Sequence, residues 1–297
     1  MNDTTTPTPP PRAAGRTGEF PPVPQPLTVP VPDSHTHLDI TLAEAAKTPL
    51  PGAGNDPIRQ AIDLAASVGV DRLVQVGVDV ASSAWGAALA QQHREVVATV
   101  ALHPNEAPRL ADLDAALRGI EALASQDRVR GIGETGLDHF RTGDDGRAAQ
   151  EASFRAHIAI AKRYGKALVI HDRDAHDDVL RVLADEGAPD TVVFHCFSGD
   201  ADFARRCADQ GFLLSFAGPV TFKAAVALRE AAAVTPIDQM LVETDAPFLT
   251  PMPYRGQPNA SYLIPLTMRV LADTTKTDLD ELCAAVSATG ERAFGQW

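Results

Sequence analysis

The segment Ala167–Glu186 reads A-L-V-I-H-D-R-D-A-H-D-D-V-L-R-V-L-A-D-E, and its pattern decides the predicted fold. Its first part, Ala167–His171, is an apolar run typical of a strand buried on both faces of a parallel sheet. The following stretch, Ala175–Glu186, has the apolar spacing of a helix that packs one face on such a sheet. Together they predict one strand followed by one helix.

This unit recurs along the chain from Val31 onward. The runs predicted as strands are Val31–His37, Arg72–Val78, Val96–Leu102, Val129–Glu134, Ala167–His171, Thr191–His195, Phe212–Phe216 and Met240–Thr244. The stretches predicted as helices include Pro57–Val68, Ala81–His93, Leu110–Ala124, Gln150–Tyr164, Ala175–Glu186, Ala201–Gln210 and Phe222–Ala233. Eight strand–helix pairs in about 265 residues match the size of a (β/α)8 barrel. A doubly wound open sheet is the alternative, but its glycine-rich phosphate loop is absent after the first strand. We therefore predict a single (β/α)8 TIM-type barrel over residues 31–297.

Residues 1–30 are predicted to be a disordered, Pro-rich N-terminal extension outside the barrel. Much of the chain's proline lies there, including the run Pro9, Pro10 and Pro11. Proline lacks an amide donor and fixes φ, so such a run cannot join a helix or the interior of a sheet. Few large apolar side chains accompany it, which is typical of disordered segments.

The charge balance excludes some classes of protein. The 297 residues contain 26 Lys and Arg against 39 Asp and Glu, a net charge of −13. A protein that coats nucleic acid or binds an anionic membrane carries the opposite sign. Three cysteines without paired spacing indicate a reducing compartment, and we expect a cytoplasmic protein without disulfides. No window is apolar over the length of a membrane span, and nothing indicates an obligate protein partner.

Polar side chains end six of the eight predicted strands. In a barrel the carboxyl ends of the strands converge on one face, the mouth, where active sites are built. The residues found there are His35, His37, His103, Glu134, His171, His195, Glu243 and Asp245. Apolar strands have no packing reason to end in this way together, and imidazoles with carboxylates are metal ligands. The sequence therefore predicts a metal site at the mouth. The other four histidines, His93, His139, His157 and His176, are expected to be surface or structural residues.

Five motifs resemble those of the TatD-type metal-dependent deoxyribonucleases and hydrolases, which belong to the amidohydrolase-like barrels. They are D-S-H-T-H-L-D (33–39), G-E-T-G-L-D (133–138), I-H-D-R (170–173), H-C-F-S-G (195–199) and E-T-D-A-P-F-L-T-P (243–251). The resemblance implies metal ligands at His35, His37, Glu134, His171, His195 and Asp245. It also implies that His103 and Glu243 line the site and that Arg255 and Asn259 lie in a substrate-side loop. The chain departs at Ala260 and Ser261, where members often have Glu and Pro, and at Gly290, where they often have Asn.

The residue types suit a site with two divalent ions, of Zn, Mn or Mg. Two ions ~3.5–4 Å apart generate a hydroxide near neutral pH and clamp the attacking and leaving oxygens of a phosphodiester. We expect Glu134 to bridge the ions and Asp245 to accept the proton of the nucleophilic water. For His103 two roles stay open. It contacts the phosphate or the leaving group, or it forms a hydrogen bond that orients a metal ligand. Arg173 and Arg255, and less strongly Lys223, are candidate phosphate contacts, with surface ion pairs as the alternative.

The leading hypothesis is a deoxyribonuclease that hydrolyses phosphodiesters at DNA ends, with RNA ends as a further substrate. No alternation of aromatic and basic residues predicts a long strand-binding groove, which favours an exonuclease-like contact. A metal-dependent amide, ester or lactone hydrolase is the second hypothesis. Related barrels often use a carboxylated Lys as the bridge, and no Lys ends a strand in this chain. A non-catalytic metal-binding scaffold is the third.

Overall fold

Eight parallel strands form one sheet in the computed structural model, which describes residues 18–52, 54 and 56–297. In chain order they are β1 (Val31–Thr36), β2 (Val70–Val76), β3 (Val96–Val100), β4 (Val129–Asp138), β5 (Ala167–Arg173), β6 (Val192–Phe194), β7 (Leu213–Phe216) and β8 (Met240–Val242). Each strand pairs with the next in sequence. The N–H of Asp245 donates to His35 O and that of His37 to Ala246 O, so the segment after β8 joins β1. The described residues thus form the predicted (β/α)8 TIM-type barrel.

Helices connect the strands on the outside of the barrel. In the described residues they are α1 (Leu38–Ala45), α2 (Pro57–Ala66), α3 (Val80–Gln92), α4 (Leu113–Ala124), α5 (Asp144–Tyr164), α6 (His176–Glu186), α7 (Ala201–Ala208), α8 (Val226–Val234), α9 (Ile264–Thr275) and α10 (Leu279–Phe294). Aspartates begin several of them, and their carboxylates accept the free N–H groups of the first turn. Asp56, Asp112 and Asp200 act in this way for α2, α4 and α7.

Two buried apolar clusters hold the layers together. One lies between the sheet and the helices and includes Leu73, Ile132 and Phe154. The other fills the barrel interior, where Val74, Val169, Leu241 and other inward side chains pack. Phe294, at the end of α10, closes this second cluster at the end where the strands begin. The opposite end of the barrel, where the strands finish, is the mouth.

The boundary predicted for the N-terminal extension is wrong for residues 18–30. Phe20 and Leu27 are only 7% and 6% exposed, and the Leu27 N–H donates to Val68 O over 3.0 Å. The hydroxyl of Tyr262 donates to the carbonyl of Pro21. A proline-rich backbone cannot join the sheet, but its few apolar side chains still pack against the barrel. The part of the predicted extension before residue 18 lies outside the described residues.

The departure at Gly290 has a local packing reason. Gly290 lies in α10 beside β1, and a Cβ at this position would come within 2.6 Å of Pro32 Cγ. A larger side chain would therefore require α10 to shift.

Within the residues that the structure describes, no helix is long and apolar enough to cross a lipid bilayer.

Candidate metal centre

The six residues predicted as metal ligands lie together at the mouth. They come from the last residues of β1 and β5, from the middle of β4 and from the segments that follow β1, β6 and β8: His35, His171, Glu134, His37, His195 and Asp245. Three overlapping groups have donor atoms within 4.8 Å of one another, and each group contains His35 or Glu134. The groups are His35–His195–Asp245, His35–His37–Glu134 and His103–Glu134–His171.

Glu134 lies between two sets of imidazoles. Its Oε1 is 2.8 Å from His171 Nδ1 and 2.9 Å from His195 Nε2. Its Oε2 is 3.6 Å from His35 Nε2 and 3.9 Å from His37 Nε2. One carboxylate therefore turns one oxygen toward each set of imidazoles.

Asp245 completes the set around His35 and His37. Its Oδ1 lies 3.4 Å from His37 Nε2 and 3.8 Å from His35 Nε2. Two ligands of one tetrahedral ion, each about 2.1 Å from it, lie about 3.4 Å apart. His35 is completely buried, and neither of its ring nitrogens has a hydrogen-bond partner among the residues that the structure describes. Buried polar atoms are rarely left without a partner, so the residues present fit a metal ion.

Second contacts orient three of the imidazoles. His37 Nδ1 lies 3.2 Å from Val76 O, so it donates to this carbonyl and leaves Nε2 free for an ion. His195 Nδ1 lies 3.1 Å from Glu243 Oε1, again leaving Nε2 at the mouth. His171 Nε2 lies 3.2 Å from Asp138 Oδ2, which leaves Nδ1 toward Glu134. Partners of this kind fix the tautomer and raise the basicity of a ligand.

Charge interactions at the mouth move several pKa values. Burial alone would raise the pKa of Glu134, but the imidazoles of His195, His103 and His171 together outweigh it and hold this pKa well below its usual range. Burial alone would lower the pKa of His195, yet the carboxylates of Glu134 and Glu243 raise it well above its usual value. The pKa of His37 is raised to about 9, because its contact with Asp245 outweighs burial. Positive charge thus stabilises the buried carboxylates, a condition that a bound cation satisfies.

The imidazole of His103 lies at the mouth, and its Nε2 faces Glu134. Its Nδ1 accepts the N–H of Asn105 over 3.0 Å, and its Nε2 lies 3.3 Å from Glu134 Oε1. Burial lowers the pKa of this imidazole, which favours the neutral form. A neutral ring that accepts at Nδ1 carries its proton on Nε2 and has no lone pair there for a metal. His103 therefore suits a hydrogen-bond donor rather than an ion ligand.

Asp138 is a site residue that the sequence reasoning did not single out. It is fully buried, and its Oδ1 accepts the N–H groups of Phe140 and Arg141. Its Oδ2 accepts from Asn105 Nδ2 over 2.8 Å and faces His171. The sequence did contain a signal for Asp138, because this residue ends the motif at 133–138. Strand β4 extends through Asp138, beyond its predicted end at Glu134.

Two residues predicted to contact substrate face the protein instead. Glu243 is 0% exposed, and its Oε1 accepts the Cys196 N–H as well as facing His195. Asn259 is also 0% exposed, and its side-chain amide donates to the carbonyls of Thr244 and Phe248. Neither side chain has a surface for substrate. Glu243 orients a ligand, and Asn259 holds the loop that carries Asp245.

The candidate phosphate-binding cations lie at the end of β5 and in the segments that follow β7 and β8. The Arg173 guanidinium, at the end of β5, lies 4.1 Å from the ring centroid of Phe140, which is 63% exposed. The Arg255 guanidinium, in the loop after β8, lies 4.5 Å from the ring centroid of Phe222. Lys223 is exposed beside Phe222. Each arginine stacks on an aromatic face, and this pairing was not predicted because its partners are distant in sequence.

The remaining histidines lie outside the six-residue cluster. His157, in α5, is fully buried, accepts the Leu102 N–H at Nε2 and donates from Nδ1 to Ser153 O. His176 contacts Asp172 over 2.6 Å. His139 and His93 are half-buried, at the end of β4 and of α3. These placements agree with the surface or structural roles expected for them.

A barrel whose mouth gathers imidazoles and carboxylates around a shared glutamate defines a metal-dependent hydrolase. Comparison with known proteins gives the particular family. Residues 32–295 match the model of the family described as TatD related DNase. The chain belongs to the TatD family.

Individual relatives agree over most of their length. The chain is 45% identical over 267 residues to the metal-dependent hydrolase TatD of Mycobacterium tuberculosis, covering 89% of this chain and 97% of the relative. It is 34% identical over 263 residues to the metal-dependent hydrolase YabD of Bacillus subtilis, with coverages of 88% and 98%. The crystal structure of YJJV, a TatD homologue from Escherichia coli, superposes with a TM-score of 0.79 at 26% identity, covering 89% and 97%.

Proposed function

We propose that the protein is a two-ion phosphodiesterase that shortens DNA from its ends, with RNA ends as a further substrate. The observation that carries this proposal is Glu134, which turns one carboxylate oxygen toward each of two imidazole sets. Divalent ions held there would supply positive charge to the phosphate oxygens and lower the pKa of water. His35, His37, Glu134 and Asp245 would hold the first ion, and Glu134, His171 and His195 the second.

Asp245 is the residue of the mouth best placed to move a proton. Its side chain is 15% exposed, whereas that of Glu134 is 5% exposed. Burial alone would raise the pKa of Asp245, but the imidazoles of His37, His35 and His195 together outweigh it, lower this pKa and keep the carboxylate ionised. An ionised carboxylate within hydrogen-bond reach of a water molecule accepts its proton as the water attacks.

His103 and the two arginines would position the phosphate. The neutral His103 ring presents Nε2–H at the mouth, where it donates a hydrogen bond to a phosphate oxygen without losing its proton. Arg173, at the end of β5, and Arg255, in the loop after β8, would bring positive charge to the phosphate. This local arrangement supports a short contact with a strand end, since the net charge of −13 opposes a long one. The three cysteines are free, which supports a cytoplasmic setting for this activity.

Digestion of end-labelled single-stranded DNA tests the proposal. Protein loaded with Mg²⁺, Mn²⁺ or Zn²⁺ is expected to release short products from one end, and EDTA is expected to stop the release. Asp245→Asn is expected to lower kcat on the order of 10²-fold or more, as for other acid–base groups. His103→Ala is expected to slow the release because it removes the Nε2–H donor, and His93→Ala, at the end of α3, is its matched control. Turnover of an amide or ester together with intact DNA would refute the proposal and favour the second hypothesis.

A further inference from the structure

A cavity of about 470 Å³ opens at the end of the barrel opposite to the mouth. This strand-start cavity is lined by Arg130, Lys162, Lys166, Asp190, Arg292 and Phe294, among others. Arg130 is the second residue of β4, and Lys166 directly precedes β5. Arg292 and Phe294 lie in the last turn of α10. Its volume is within the range of ligand pockets, about 300–1,000 Å³. None of its residues belongs to the metal centre.

Four cations converge on this cavity in a chain with an excess of acids. Elsewhere arginines pair with carboxylates: Arg155 contacts Glu151, Asp185 and Glu186 on the outer helices. Three of the cavity cations donate to backbone carbonyls instead. Lys162 donates to Glu186 O, Arg130 to Gln296 O and Arg292 to Asp238 O. Among the described residues none of the four lies within 4.0 Å of a carboxylate, including the Asp190 that shares the cavity.

Helix dipoles explain only part of this cluster. Lys162 and Arg292 are in the last turns of α5 and α10, where cations stabilise a helix. Arg130 and Lys166 belong to no helix and lie at strand starts, although Lys166 follows α5 by two residues and Arg130 donates to Gln296 O beyond α10. Arg130 Nε is buried without a hydrogen-bond partner. Burial and then the neighbouring Arg130 lower the pKa of Lys166, while Asp127 opposes this, so two cations face each other with little compensation.

We propose that the strand-start cavity binds a phosphate monoester of mononucleotide size. Free N–H donors of Arg130 and Lys166 would hold the phosphate, since charged donors recognise this group with strong hydrogen bonds. Ala188, which is exposed, supplies apolar surface for the organic part of such a ligand. The cavity is larger than inorganic phosphate requires. This site is separate from the proposed nuclease activity and does not depend on it.

Calorimetric titration with adenosine 5′-monophosphate tests the proposal. The metal-loaded chain and a Glu134→Ala variant, which lacks the shared carboxylate of the mouth, are both expected to bind the nucleotide. Arg130→Gln with Lys166→Gln is expected to weaken binding by at least about tenfold in the Glu134→Ala background, because hydrogen bonds from charged donors are lost. Adenosine, which lacks the phosphate, is expected to bind at least about tenfold more weakly.

Controls separate this site from charge and folding effects. Lys47→Gln with Arg94→Gln removes the same charge at exposed positions and is expected to leave binding unchanged. Arg292→Gln changes an exposed residue, so it tests the cavity even if the double variant unfolds. Loss of all nucleotide binding in Glu134→Ala, or unchanged binding in both cavity variants, would overturn the proposal. Binding of a single-stranded oligonucleotide at the cavity without binding of the mononucleotide would also overturn it.

Discussion

Replacing Asp138 by Asn would weaken the binding of one ion and spare the other. Asp138 Oδ1 accepts two backbone N–H groups, over 3.1 Å from Phe140 and 2.7 Å from Arg141. An asparagine that keeps these bonds must place its carbonyl oxygen at this position. Its NH₂ group then replaces Oδ2, which faces His171 Nε2 and Asn105 Nδ2. His171 would lose its acceptor, and its ring would lose both its fixed tautomer and part of its basicity.

The size of this effect follows from contacts of the same kind at other metal centres. Removing the partner that orients a ligating histidine costs about 10–100-fold in metal affinity. This corresponds to about 1.4–2.7 kcal/mol at 25 °C, since tenfold is 1.36 kcal/mol. The ion between His35, His37 and Asp245 has no contact with Asp138 and is expected to keep its affinity. The binding isotherm should therefore separate into one unchanged and one weakened step.

Calorimetric titration of metal-free protein with Mn²⁺ measures both steps. Asp112→Asn is the control, because Asp112 also accepts a backbone N–H but lies at the start of α4, away from the mouth. A thermal unfolding curve for each variant shows whether the barrel is intact. Unchanged affinity at both sites in a folded Asp138→Asn protein, or equal weakening of both, would refute the reasoning about His171.

Three further predictions follow from the same contacts. The pKa of His157 is lowered from 6.5 to about 4 by burial, so it contributes stability above pH 6.5 that is lost as the pH falls toward 4. The free energy of unfolding should fall by about 2 kcal/mol between pH 8 and pH 5. Urea unfolding of EDTA-treated protein should show this fall in the wild type but not in His157→Gln. Glu243→Ala should lower kcat for DNA about 10–100-fold, because His195 loses its acceptor; an unchanged kcat would contradict this role. EDTA should lower the Tm as well as stop hydrolysis, since the buried Glu134 loses its cations, and a Tm unaffected by EDTA would show that no ion stabilises the mouth.

The positions of the metal ligands were predictable because they follow from local patterns. Each strand is a short apolar run, and a barrel brings the ends of all its strands to one face. His35 and His171 could therefore be placed at one mouth without knowing any distance. The contacts of side chains from distant segments could not be predicted in this way. Asp138 facing His171 and Asn259 facing Thr244 depend on register and loop course, which the sequence pattern does not specify.

Composition misled the prediction at the N-terminus. The many prolines before residue 30 indicated disorder, yet Phe20 and Leu27 are buried against the barrel. Two apolar side chains at the correct spacing are enough to fix an extended segment on an existing surface, and composition does not reveal such spacing. The charge of −13 predicts a bias against broad DNA binding, but it does not reveal the cations that gather at the strand-start cavity.

The number of bound ions tests the central claim most directly, that Glu134 is shared by two metal ions. Inductively coupled plasma mass spectrometry on dialysed protein counts the ions in each chain. The account predicts two ions in the wild type, one in His37→Ala, one in His171→Ala and fewer than one in Glu134→Ala. A wild-type protein with a single ion, or a folded Glu134→Ala variant that retains two, would contradict it.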